Sequence, residues 1–107
     1  MEKKFLGDVL YIKPQISFLD SRVSKDLKNQ IIQEIESGNK RLLLDLSDME
    51  MIDSGGLGGL IGVYKALENK GSLHLYGLNA KVTKIFRMTG VLKLFPSFSS
   101  LDEALQF

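Results

Sequence analysis

Apolar positions along this chain repeat with two periods. Arg41-Leu42-Leu43-Leu44-Asp45-Leu46 is an almost unbroken apolar run, the pattern of a strand buried on both faces. Phe5-Leu6 and Val9-Leu10-Tyr11-Ile12 flank the turn signal Gly7-Asp8 and predict an opening β-hairpin. Pro14 pushes Lys13 toward an extended conformation and has no amide hydrogen to donate, which suits an edge or a strand end. Leu73-His74-Leu75-Tyr76 alternates, predicting a half-exposed strand with His74, the only histidine, on its open face.

The three-to-four-residue period predicts helices. Val23, Leu27, Ile31 and Ile35 mark one over 23–35, capped by Asp20 or Ser21 and stopped at Ser37-Gly38. Leu57, Leu60, Ile61, Tyr64 and Leu67 mark a second, with these large residues on one side and a stop at Asn69-Lys70-Gly71. Val82, Ile85, Phe86 and Thr89 mark a third, capped by Asn79 and ended by Gly90; Lys81, Lys84 and Arg87 fall on a solvated side. The capping box Ser100-x-x-Glu103 opens a last short helix that returns Leu101, Ala104 and Leu105 to the core. Strand–helix–strand alternation from Arg41 to Tyr76 requires a parallel pair with a right-handed crossover. The hairpin adds antiparallel pairing, so the class is α/β with a mixed sheet under helices.

The chemistry concentrates where the Arg41–Leu46 strand leads into the second helix. Ser54 has two possible roles there. It caps the helix, its hydroxyl accepting a backbone N–H two or three residues on, or it is an exposed hydroxyl held for modification with Asp53 beside it. Gly58, Gly59 and Gly62 lie within the helix, each costing roughly 0.8–1 kcal/mol against alanine. At about 100° per residue, Gly55, Gly58, Gly59, Gly62 and Ala66 share one side. That side either faces outward as a nearly bare stripe for another surface, or packs against a helix or the sheet of its own chain. Asp45, polar near the end of a buried strand, is expected to tie down loop amides.

Composition narrows the classes. The chain has 107 residues, enough for one domain over 1–107, with 44% hydrophobic and 25% charged residues, ordinary for a soluble domain. A formal net charge of +1 gives no footprint for nucleic acid or an anionic membrane. The absence of cysteine excludes disulfides, thiol catalysis and thiolate metal sites. Apolar runs fall far short of the roughly 20 residues that span a bilayer. Met1-Glu2-Lys3-Lys4 does not begin a signal peptide, so a cytoplasmic location is expected. No internal repeat or low-complexity segment stands out.

Asp53-Ser54-Gly55-Gly56-Leu57-Gly58, after a strand ending Leu44-Asp45-Leu46, resembles the Asp-Ser-(Ser/Thr/Ala)-Gly-Leu-Gly signature of STAS-domain anti-sigma factor antagonists. The resemblance runs nearly end to end, through Leu19-Asp20 and Phe86-Arg87-Met88-Thr89-Gly90. It implies a STAS-type single domain with a mixed four- to five-stranded sheet and about four helices. It also implies phosphorylation of Ser54 by a partner anti-sigma factor that is a serine kinase, with a phosphatase to reverse it and no cofactor or metal. Asp20, which the resemblance implies to lie near the serine and at the kinase contact, joins Asp53, Gly55, Gly56, Gly58, Gly59 and Gly62 of the motif and the glycine side as the expected partner-binding positions. The chain departs from the pattern at Gly55, which leaves one hydroxyl in the motif, and at Ser17, where relatives often carry glycine. A phosphate on Ser54 is expected to meet the N–H groups of Gly55, Gly56 and Leu57 and the favourable end of the helix dipole.

Two other classes compete. One is a STAS-like interaction module in a stress-signalling or transporter-associated complex, for which the intact Asp-Ser pair would not be required. The other is an enzyme or nucleotide binder. Gly56-x-Gly58-x-x-x-Gly62 lies several residues from its strand, and no acidic residue ends the next one, against a dinucleotide loop. There is no Gly-Lys-Ser/Thr for a P-loop, and Ser54 has no evident base.

Overall fold

The computed structural model describes all 107 residues. The opening hairpin pairs β1 (Glu2–Leu6) with β2 (Val9–Lys13), Leu6 opposite Val9, around Gly7 at φ 65°. β2 then runs parallel to β4 (Arg41–Asp45), β4 to β6 (Ser72–Tyr76), and β6 to β7 (Ser97–Phe98). The main sheet is therefore mixed, five strands in the order β1-β2-β4-β6-β7. A second, parallel sheet joins β3 (Phe18–Leu19) to β5 (Met51–Ile52). Four helices complete the chain: α1 (Ser21–Glu36), α2 (Ser54–Leu67), α3 (Ala80–Thr89) and α4 (Leu101–Ala104), with a 3-10 turn at Val91–Lys93.

Strand alternation divides the interior in two. Leu10, Ile12, Leu42, Leu44, Leu73 and Leu75 face one side, where Leu27 and Ile31 of α1, Leu60 and Val63 of α2, and Val82 and Phe86 of α3 cover them. Val9, Tyr11 and Leu43 face the other side, closed by Ala104 of α4. The central strand β4 is thus buried on both faces, as its unbroken apolar run requires.

Two expectations are corrected and one open alternative is decided. His74 is buried: Phe107 stacks on it at 3.7 Å with 5° between the planes, and its Nδ1 lies 2.8 Å from the Ala104 carbonyl oxygen. Period two put it opposite Leu73 and Leu75, but the chain's last turn returns to cover that face. Ile61 and Tyr64 are exposed, at 37% and 41%, so only part of the large side of α2 reaches the core. The glycine side of α2 does not lie bare either. It is where α1 crosses.

Candidate functional site

The β3–β5 ladder aligns Phe18 with Met51 and Leu19 with Ile52, and each strand is followed directly by an aspartate that caps a helix. Asp20 accepts the Val23 amide at 2.9 Å and caps α1; Asp53 accepts the Gly56 amide at 2.9 Å and caps α2. Their backbones are nearly superimposable, φ −107°, ψ −174° at Asp20 and φ −106°, ψ −176° at Asp53. With Asp53 as the cap, Ser54 becomes the first residue of α2, exposed, its hydroxyl taking no part in capping.

The loop before β5 is braced from several sides. Ser17 accepts the Glu50 amide at 2.8 Å, Leu19 accepts the Asp53 amide at 3.2 Å, and Asn79 Nδ2 donates to the carbonyls of Met49 and Glu50 at 3.1 and 3.2 Å. At the β4 end of the loop, Asp45 accepts the Ser47 amide at 2.9 Å, as its position led one to expect, and also the Tyr11 hydroxyl. Burial would push the Asp45 carboxyl up; the bonds from Tyr11 and Ser47 and the charge of Lys13 outweigh it and hold it below the ordinary 3.8. Burial and the carboxylate beside it push the Tyr11 phenol above its ordinary 10.0.

Among the glycines, a Cβ at Gly59 would overlap the Ser24 side chain of α1, and one at Gly56 would strike the Leu19 carbonyl. At Gly55 it would lie 2.9 Å from the Ser21 Cβ, and at Gly62 it would touch the flexible Lys28 side chain at 3.4 Å. Gly58 alone of these has open space beside it. Of the two alternatives for the glycine side, packing within the chain holds for most of it: Gly56 and Gly59, expected as partner-binding positions, instead permit close packing within the chain, and Gly58 is left as the open position near Ser54. The first-turn amides need a correction too. Gly56 donates to the Asp53 carboxylate and Leu57 to the Asp53 carbonyl at 3.0 Å, which leaves those of Ser54 and Gly55 to face a phosphate.

No three His, Cys, Asp or Glu side chains come together to hold a metal. His74, the one imidazole, is on the sheet face that α4 covers, away from the face that α2 packs on. The ladder that pairs Asp20 with Asp53 is what sequence reasoning missed. Its strands are two residues long, below any periodicity, and the one available signal was the four-residue echo of Phe18-Leu19-Asp20-Ser21 in Met51-Ile52-Asp53-Ser54.

The family model for the STAS domain matches residues 1–104. The chain belongs to the STAS domain family. BtrV of Bordetella bronchiseptica is 30% identical over 87 residues, covering 80% of this chain and 75% of that protein. The anti-sigma F factor antagonist of Paenibacillus polymyxa is 28% identical over 89 residues, 81% of this chain and 76% of that one. The crystal structure of a Thermotoga maritima STAS relative superposes with a TM-score of 0.85 at 25% identity, over 98% of this chain and 91% of its own. The four-helix, five-strand architecture is that of the family. No helix is long and apolar enough to cross a membrane.

Proposed function

We propose that this STAS domain is an anti-sigma factor antagonist whose binding to a serine-kinase anti-sigma factor is gated by phosphorylation of Ser54. One observation carries the reading: Asp53 performs the capping, so the Ser54 hydroxyl stands exposed and unengaged on a rigid helix start. The names of relatives such as the Paenibacillus antagonist supply the pathway. Unmodified, the chain presents Ser54, the open flank at Gly58 and the exposed Ile61 and Tyr64 of the same helix, with Asp20 at the neighbouring helix start. The partner binds there, which frees its sigma factor. The chain is ligand and phosphate acceptor, not catalyst, and works in the cytoplasm without nucleic acid, membrane or metal. A phosphatase restores the binding form.

Phosphate on Ser54 adds about 1.5–2 negative charges, taking the net charge from +1 to about −1. The free amides of Ser54 and Gly55 and the helix dipole favour that charge, so the fold persists and the switch acts at the interface, through bulk, desolvation and repulsion. The test is capture of the partner on immobilised chain, followed by ATP and mapping of phosphate by mass spectrometry. Ser54→Ala is expected to lose phosphate from the start of α2 and to bind the partner as the unmodified chain does. Ser54→Asp is expected to bind at least about tenfold more weakly, some 1.4 kcal/mol. Phosphate on Ser47 in place of Ser54 would refute the site. Capture of a transporter or a stress-signalling assembly without any kinase would refute the pathway.

A further inference from the structure

We propose that a short extended peptide segment of another protein docks on the open edge of β6, in a cleft at the far end of α2 from Ser54. The proposal is independent of the Ser54 reading. Hydrogen bonds fix the direction in which each residue of β6 turns its main chain. Ser72 donates to the Lys40 carbonyl at 2.8 Å and Tyr76 accepts the Leu46 amide at 2.9 Å, so the even-numbered residues face β4. Leu75 donates to the Pro96 carbonyl at 2.8 Å and Gly77 to the Phe98 carbonyl at 3.2 Å, so the odd-numbered residues face β7. Leu73 therefore turns its N–H and C=O to the β7 side.

There the ladder stops one step short. β7 begins at Ser97, opposite Leu75. One step earlier, the donor to the Leu73 carbonyl would be residue 96, a proline, which has no N–H. The acceptor for the Leu73 amide would be the Leu94 carbonyl, but Leu94 is helical, at φ −86° and ψ −36°, and that bond does not form. Both main-chain groups of Leu73 are left without a ladder partner although the residue is only 4% exposed, against the rule that such groups are paired.

A cleft of about 470 Å³ opens at this point. Its lining includes Leu73, whose side chain belongs to the α2 face of the sheet, and His74, which belongs to the α4 face, so it lies across the sheet's edge where β7 would have continued. Tyr64, Leu67 and Phe95 give it an apolar wall. One donor and one acceptor on a single residue, beside an apolar wall, match the main chain of an extended peptide adding to a sheet edge. In an antiparallel pair one residue exchanges both bonds with the residue opposite, and the two side chains share a face. The residue that takes Leu73 therefore turns its side chain toward the α2 face and Leu67, where an aliphatic group is suited. β7 fills the row from Ser97 on, so the segment is short. Glu68, which also lines the cleft, is 14 residues along the chain from Ser54, about 20 Å at the rise of a helix, so phosphate there does not reach the cleft.

The test uses nitrogen-15-labelled full-length chain, the capped peptide acetyl-Ala-Leu-Ala-methylamide, and its ester analogue in which oxygen replaces the leucine N–H. In the free chain the Leu73 amide is expected to exchange with solvent at least about a hundredfold faster than that of Leu75. The peptide is expected to shift the Leu73 and Tyr64 signals and to slow Leu73 exchange. The ester, lacking one hydrogen bond, is expected to bind about two- to tenfold more weakly. Tyr64→Ala, at an exposed position that leaves the fold intact, is expected to weaken binding about threefold or more. Phe5→Ala, on the opposite edge strand β1, is expected to leave it unchanged. A Leu73 amide as slow as Leu75 in the free chain overturns the proposal, because the group is then already paired. Equal binding of peptide and ester, shifts confined to residues outside the cleft, or no shift at millimolar peptide overturns it as well. Concentration-dependent shifts of the same residues without peptide would make a second copy of this chain the occupant and overturn the partner segment.

Discussion

At the start of α2, two neighbouring side chains divide two tasks. Asp53 caps the helix, and the Ser54 hydroxyl, proposed above as the phosphate acceptor, takes no part in the cap. Asp53→Ala is expected to cost about 0.5–2 kcal/mol of stability, the usual loss of a cap. Ser54→Ala is expected to change stability by no more than about 0.5 kcal/mol, as an exposed substitution does; urea denaturation of the two variants measures the contrast. Asp45 makes a separate, pH-dependent contribution. Its folded pKa is depressed, so the stability it adds is complete above the ordinary 3.8 and is lost as pH falls through the lower folded value. Tyr11→Phe removes a hydrogen bond to that carboxylate, costs about 1.5–3 kcal/mol at neutral pH, and moves the acid limb of the melting curve to higher pH. Asp45→Asn flattens that limb. Melting temperature against pH for the three proteins tests this.

Between elements, the approach of α1 to α2 gives the glycines opposite signs. At Gly59 a methyl group meets Ser24 Cβ as well as its hydroxyl, so Gly59→Ala is expected to cost about 1–3 kcal/mol by overpacking. Ser24→Ala does not rescue it, because the Cβ remains; Ser24→Gly relieves it. Gly58 has open space, so Gly58→Ala is expected to add about 0.8–1 kcal/mol through helix propensity alone. The same substitution is expected to weaken partner binding, which would show why the position carries a costly residue. Thermal denaturation and partner titration on the Gly58 and Gly59 variants separate packing from docking.

For the molecule as a whole, the proposed switch is local and the fold would be its rigid support. The residues beneath Ser54 are fixed by the β3–β5 ladder, by Asn79 at the start of α3 and by the Asp45–Tyr11 contact under the preceding loop. Phosphorylated chain is therefore expected to melt at or slightly above the temperature of the unmodified chain, since a helix dipole stabilises an anion at its N-terminus by about 0.3–1 kcal/mol. A large fall in melting temperature on phosphorylation would place the switch in unfolding instead. Calorimetry of the two forms decides it.

Local pattern was enough for the hairpin at Gly7, the doubly buried run Leu42–Leu44, the caps at Asn79 and Ser100, and the prominence of Ser54, because each depends on neighbours within one turn or one strand. Whether Ser54 caps its helix or is free could not be read from adjacent residues, since Asp53 and Ser54 both suit the position; the β3–β5 ladder set the backbone so that Asp53 caps. His74 alternated as if toward solvent until α4 and Phe107 folded back over it. The glycine side of α2 had the composition of a docking face, and α1 took most of it. In each case the deciding partner lies some 30 residues away along the chain, at a distance over which periodicity carries no information and only packing does.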